Sequence, residues 1–246
     1  MMAIRIYIII GVFLFLRQRK MIYYPTKQIN HGFTEKTIEN EGETIKIIVL
    51  NPNQDNAIIY FGGNAENVVY STLDFQQLTS NTVYLVNYRG YSGSTGKPTE
   101  QGLYSDALAI YDDIANSHTN ISVIGRSLGS GVATYLASQR PISKLMLATP
   151  FDSLQNIAQA QFWIYPSSII MQDKYKSSDR VKDIDAPTLI LIAENDQIVP
   201  YKNSINLVNA FPEEQVNVKI IKNRGHNDIS NSIEYMNALN SFFKNN

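Results

Sequence analysis

The sequence predicts an α/β fold: a doubly wound, mostly parallel sheet with an N-terminal hydrophobic helix and a short cap insertion. Three observations predict it. Short aliphatic runs rich in β-branched and aromatic residues recur from Ala57 onward at "AIIYF", "TVYLVNY", "ISVIG", "KLMLA", "TLILIA" and "VNVKII". Such runs, bounded by turn residues, mark buried parallel strands. Segments of helical spacing separate them, at 100–117, 128–139, 202–210 and 232–243. Strand and helix in alternation imply right-handed crossovers and helices on both faces of one sheet. Finally, 246 residues, 44% of them hydrophobic, suit one domain with a sizeable core.

The elements follow in order. Between Arg5 and Arg17 runs "IYIIIGVFLFL", followed by the basic "RQRK". As a helix this run reaches roughly 16 Å, against about 30 Å of hydrocarbon, so it spans a bilayer only if the flanking bases snorkel. No small-x-small cleavage pattern follows, which favours an uncleaved membrane anchor over residues 1–22 rather than a signal peptide. A terminal helix packed on the domain is the alternative. Arg17, Arg19 and Lys20 follow the run against Arg5 and the amino terminus, so positive-inside reasoning favours a cytoplasmic catalytic domain. Residues 23–246 form the domain. In it, "GFTEKTIENEGETIKIIVLNP" reads as a hairpin about the turn Asn40-Glu41-Gly42 at a sheet edge. Residues 151–185, aromatic at "FWIYP" and without a clear strand, break the alternation and form the candidate cap over a crevice at the carboxyl ends of the strands.

Composition excludes several functions. With 21 basic and 22 acidic residues the chain lacks the positive surplus that phosphate backbones select, so no nucleic-acid partner is expected. The absence of cysteine excludes disulfides, thiolate metal sites and a cysteine nucleophile. His31, His118 and His226 show no metal-ligand spacing, and neither a metal nor a cofactor is expected. In "GYSGSTGKPT" the first glycine of a phosphate loop would fall on Tyr91, and Pro98 replaces its hydroxyl residue. The glycines at 125, 129 and 131 do not match the dinucleotide fingerprint.

What remains is nucleophilic chemistry. Gly125-Arg126-Ser127-Leu128-Gly129 fills G-x-S-x-G where a strand meets a helix. A serine on so tight a turn adopts a strained backbone, and its flanking glycines leave room for the close approach. The helix dipole and the Leu128 amide face the place where charge would develop on an attacked carbonyl. Serine needs a base, and the base a carboxylate to orient it. Asp196 lies just past "TLILIA" and His226 just past "VNVKII", so the order Ser127, Asp196, His226 is nucleophile, acid, base. Duller readings exist: Ser127 as a helix N-cap, Asp196 as a turn residue with Glu194 the true acid, and His226 as a surface loop residue. His31 and His118 are worse placed as bases, and Asp228 more plausibly contacts solvent or backbone. The loop in "IIYFGGNAENV" supplies a second oxyanion donor, the amide of Gly63 or Asn64, with Asn64 as an N-cap the bland reading.

From about Ile45 to Phe243 the chain resembles the alpha/beta-hydrolase superfamily, in particular the small, N-terminally anchored serine hydrolases of the bud-emergence and protein-depalmitoylase type. "YFGGNAENV", "VNYRGYSGSTGKPTEQGLYSDALAIYD", "GRSLGSG", "ATPFDSL", "AENDQIVP" and "RGHND" carry the resemblance. It implies Ser127 as nucleophile, Asp196 as acid, His226 as base, and Leu128 with the Gly63-Asn64 turn as oxyanion hole. It also implies that Tyr88 and Arg89 brace the rim of the site. One departure is Gly62, where relatives commonly carry histidine. The expected activity is hydrolysis of a small-molecule or lipid-like acyl ester or thioester. The alternatives are an aminopeptidase, whose cap carboxylates could only be the scattered Asp152, Asp173 and Asp179, and a non-catalytic membrane-tethered binding protein.

Overall fold

In a computed structural model describing residues 2–244, a long N-terminal helix α1 (Met2–Ile22) leads into the strand-rich domain. The strands are β1 (Thr34–Asn40), β2 (Glu43–Leu50), β3 (Asn56–Phe61), β4 (Asn81–Val86), β5 (Asn120–Arg126), β6 (Leu145–Ala148), β7 (Thr188–Ala193) and β8 (Val216–Ile221). Between them lie α2 (Thr72–Phe75), α3 (Glu100–Ile114), α4 (Leu128–Gln139), α5 (Leu154–Gln161), α6 (Ser167–Ile170) and α7 (Tyr201–Val208), with α8 (Ile233–Phe243) after β8. The sheet order is β1-β2-β4-β3-β5-β6-β7-β8. β1 and β2 form the expected hairpin, β2 meets β4 antiparallel, and every other pairing is parallel. Glu41 and Gly42 close the hairpin at φ 52° and 78°, the left-handed pair that a two-residue turn requires.

Alternation along the strands builds two cores. Ala57, Ile59 and Phe61 of β3 point into a cluster with Leu103 and Ile110 of α3 and Val132 and Leu136 of α4. Ile58 and Tyr60 of the same strand point the other way, toward Phe75, Tyr235, Leu239 and Phe243. Period-2 side chains in a sheet covered on both faces require this division.

Three sequence expectations change. "VNVKII" is not a buried strand: β8 lies at the sheet edge with Ile220 43% exposed, and among the described residues no strand pairs with its outer side. The end of the 151–185 insertion is not cap. Residues 178–183 form a short 3₁₀ helix whose Val181 joins the α3–α4 core, leaving α5 and α6 as the covering elements. The third concerns residues 2–22, which are helical but do not stand free of the domain. Tyr7, Gly11, Gln18 and Ile22, at steps of four and seven residues, share one face. That face meets the cap through a Tyr7–Tyr165 ring stack at 4.7 Å and a Tyr165 ring edge 3.4 Å from where a Gly11 Cβ would stand. Among the described residues no helix is long and apolar enough to cross a membrane.

Candidate active site

The parallel strands end on one edge, and the loops after β3, β5, β7 and β8 converge there. β3 and β5 are neighbours from which the chain departs in opposite directions, the crevice where open α/β sheets bind ligands. Ser127 follows β5 at once. Its φ of 50° and ψ of −118° are strained for a residue with a side chain. Neighbouring glycines make the turn possible: a Cβ on Gly129 would stand 2.0 Å from the Phe61 carbonyl oxygen, and one on Gly125 2.5 Å from that of Gly129. Helix α4 can therefore press its first turn against the end of β3 only without side chains there.

Ser127 occupies the N-cap position of α4, yet its side chain makes no cap bond. Ser127 Oγ lies 2.8 Å from His226 Nε2, and His226 Nδ1 lies 2.8 Å from Asp196 Oδ2. A carboxylate can only accept, so Nδ1 carries the proton and Nε2 accepts from the serine hydroxyl. The imidazole and carboxylate are nearly buried, with 7% and 4% of their side-chain surfaces exposed, which strengthens the pair relative to water. Asp196 is held in turn by the amides of Ile198 (2.9 Å) and Val199 (2.8 Å), so its turn-forming and histidine-orienting roles coexist. Glu194 instead receives the Asn223 amide. His118 bonds Tyr84 and the Gln54 carbonyl, His31 pairs with Glu35, and Asp228 receives the Gly225 amide. All four stand outside the array.

The loop after β3 is held by a carboxylate that sequence reasoning did not single out. Glu66 Oε1 accepts from Tyr60 (2.6 Å) and Ser71 (2.6 Å), and Oε2 from the Gly63 amide (2.6 Å) and Arg126 (3.2 Å). The Gly63 amide, one of the two expected oxyanion donors, is thus already engaged by Glu66. Gly62 has its own reason: a Cβ there would sit 3.0 Å from Glu66 Cδ, so the missing side chain makes room for the carboxylate. Arg126, the residue before Ser127, also donates to the carbonyls of His226 (3.3 Å) and Asn227 (3.1 Å). One guanidinium therefore joins the loops of His226, Ser127 and Glu66. Tyr88 donates to the Gly62 carbonyl (2.7 Å), and burial together with the nearby Glu66 raises its phenol well above the ordinary value, so it stays a donor. Arg89 turns away from the rim to pair with Asp106 and Glu41. The signal for the clamp was an acid three residues after Gly63 and an arginine beside Ser127, two unremarkable charges until the fold brings them together.

Asn64 is not an N-cap. Its Oδ1 receives the Tyr24 amide (3.0 Å) and the Tyr91 hydroxyl (2.8 Å), and its Nδ2 donates to the Ile22 carbonyl at the end of α1. Ser127, Leu128 and Asn64 line a cavity of about 440 Å³ whose other walls are mainly apolar, from α1 (Met21, Ile22), α5 (Leu154, Ile157) and Phe162. A cavity of about 620 Å³ behind the loop after β3, beside Glu66 and Arg126, is not lined by Ser127. Among the described residues no group of three or more His, Asp or Glu side chains could hold a metal ion.

Comparison with known proteins agrees with this architecture. The family described as Serine hydrolase (FSH1) matches residues 56–227. The chain is 37% identical over 151 residues to the uncharacterized protein Rv2307c of Mycobacterium tuberculosis, covering 60% of this chain and 53% of that one. It is 30% identical over 224 residues to protein bem46 of Schizosaccharomyces pombe, covering 76% and 73%. The chain spans about half the length of several of the curated relatives it matches. The solved Pyrococcus furiosus esterase Pf2001 superposes with a TM-score of 0.70 over 91% of this chain and 98% of that one at 16% identity, a likeness of fold.

Proposed function

The chain belongs to the serine hydrolase (FSH1) family of alpha/beta-hydrolase fold, and from that premise we propose that it cleaves carboxylic esters or thioesters through an acyl-enzyme on Ser127. The carrying observation is the unbroken pair of 2.8 Å contacts from Ser127 through His226 to Asp196, on a serine backbone held at positive φ. His226 Nε2 takes the hydroxyl proton as Oγ attacks the acyl carbon. The charge moves to the carbonyl oxygen, which the amides of Leu128 and Asn64 receive. As the first residue of α4, Leu128 has no intrahelical acceptor for its amide. The intermediate collapses, and the leaving alkoxide or thiolate takes the proton from His226. Water then attacks the acyl carbon, passes a proton to His226 and releases the acid, and Ser127 recovers its proton. Asp196 keeps the imidazole in the required tautomer throughout. A fluorophosphonate probe tests the assignment: it labels wild type and not Ser127→Ala, and equal labelling of both refutes it.

An apolar cavity favours acyl chains over peptide amino termini. Asp152 is bonded by Asn156, Asn203 and Asn206, Asp173 by Arg19, and Asp179 by Lys176; none lines the Ser127 cavity. A free α-amine would find no carboxylate there, so aminoacyl arylamides should be far poorer substrates than acyl esters. A non-catalytic binding protein is the outcome if no short-chain aryl ester is turned over above the Ser127→Ala background.

The membrane partner takes a different form from a spanning anchor. Ile4, Ile9, Val12, Phe13 and Leu16 of α1 are each at least half exposed, and Trp163 and Ile169 of the cap are 77% and 78% exposed. An apolar face this large, ending in Arg17, Arg19 and Lys20, suits a helix lying in the headgroup layer. In that arrangement charge asymmetry assigns no side of the membrane. Co-sedimentation with vesicles containing phosphatidylserine tests it: wild type binds, Ile9→Glu/Phe13→Glu does not, and equal binding refutes it.

A further inference from the structure

The sheet ends differently on its two sides. β1 blunts one edge with Glu35, Lys36 and Glu39, and Lys36 is tied to Asp113 of α3 (2.8 Å). Charges of this kind keep a free strand from recruiting another. β8 forms the other edge and has no such device. From Gln215 to Ile221 it carries one charge, Lys219, and neither proline nor glycine.

The direction of its free backbone groups follows from the bonds it makes. The carbonyls of Gln215 and Ile221 accept from the amides of Thr188 (2.9 Å) and Glu194 (3.1 Å) on the β7 side. Backbone groups alternate along a strand, so Gln215, Asn217, Lys219 and Ile221 bond inward, while the N–H and C=O of Val216, Val218 and Ile220 point out of the sheet. Among the described residues nothing receives them. The same three side chains share one face. There Val216 and Val218 pack only partly buried against the α3–α4 core, and Ile220 is 43% exposed.

We propose that the β8 edge is a homodimer interface, in which two copies pair antiparallel about a two-fold axis through Val218 and join their sheets into one. In an antiparallel ladder, residues that exchange hydrogen bonds face each other, and both must turn N–H and C=O toward the partner strand. Centring on Val218 sets Val218 against its own copy and Val216 against Ile220 on either side, so every outward residue finds a partner. Centring on Asn217 or Lys219 instead runs Ile220 or Val216 out onto a turn, at Glu214 or Lys222. The Val218 register also places Val216, Val218 and Ile220 of both copies in one apolar row, where cross-strand β-branched pairs stabilise a sheet. At each end of the row it brings the acidic Glu213–Glu214 turn of one copy to Lys222 of the other. That charge match, repeated by the axis, selects a second copy as the occupant. Because the paired strands point opposite ways, the two Ser127 sites open at opposite ends of the joined sheet.

Sedimentation equilibrium on the full chain at tens of micromolar tests this, in the Ile9→Glu/Phe13→Glu background so that the apolar face of α1 cannot associate. The expected mass is twice that of one chain. Val218→Lys, which sets like charges directly opposite each other at the axis, gives the monomer mass, as does Val218→Glu; mixing the two variants restores the dimer. The chain has no cysteine, so Val218→Cys reports the register. Facing residues stand about 5.5 Å apart at Cα, inside the range a disulfide bridges, and mild oxidation links two chains. Ile220→Cys, which faces Val216 rather than itself, does not link. A monomer at every concentration, a dimer that Val218→Lys leaves intact, or equal cross-linking by Val218→Cys and Ile220→Cys overturns the proposal. Should the charged variants fail to fold by circular dichroism, the cysteine comparison decides alone.

Discussion

The two walls of the site are held in opposite ways. Toward the sheet, each loop carrying a reacting group is tied by buried hydrogen bonds. Glu66 alone accepts four, and Arg126 joins three loops through charge-assisted contacts. Toward solvent, α1 and the cap meet through a ring stack, a few bonds around Gln18, and the Arg19–Asp173 pair, whose arginine is 47% exposed. The difference follows from what each wall must do. A proton transfer fails when a donor moves by an ångström, whereas an aliphatic chain asks only for dry apolar volume, a non-directional demand. Ile22 and Asn64 join the two walls, since the end of α1 is hydrogen-bonded to the loop that presents the Asn64 amide.

That contrast can be broken at several depths. Ser127→Ala should abolish ester turnover, by about 10⁴- to 10⁶-fold in kcat, with the fold intact by circular dichroism; residual turnover near wild type would remove the chemistry from the sheet-side wall. Asp196→Asn should cost about 10⁴-fold in kcat by leaving the imidazole in the wrong tautomer, with little change in KM. Glu66→Gln puts an amide among four donors and frees the Gly63 turn. A loss of roughly 10²-fold in kcat with KM nearly constant is expected, as for a displaced oxyanion donor, and a loss confined to stability would make Glu66 merely structural. Gly129→Ala reads out in stability, about 3 kcal/mol by urea denaturation, because its Cβ would overlap the Phe61 carbonyl. The mildest test falls on the other wall. Arg19→Met, removing the half-exposed partner of the buried Asp173 carboxylate, should cost about 2 kcal/mol and raise KM for long-chain esters a few-fold at constant kcat. A fall in kcat as large as that of Glu66→Gln would erase the distinction between the walls.

Much of the sheet could be read from the chain because its signals are local. Each strand from β3 onward is a compact aliphatic run, and the G-x-S-x-G turn carries its own geometry in five residues. Asp196 and His226 could be set near strand ends because each lies within five residues of the end of an aliphatic run. The four-residue α2 was not, since Leu73 is 75% exposed and no apolar period marks so short a helix. The exposure of β8 was also hidden, because an aliphatic run does not say whether another strand will cover it.

Strand and helix types, the strained serine turn and the order of the three polar residues follow from the sequence alone, since each depends on neighbours within a few positions. Only the tertiary structure decided that His226 meets Ser127 across 99 positions, that Glu66 takes the Gly63 amide while Arg126 joins three loops, and that α1 lies against the cap and walls the site. Contacts of that kind depend on how far the sheet twists and which layer covers which edge. Those outcomes come from burying the whole chain at once, and no short window of residues contains them.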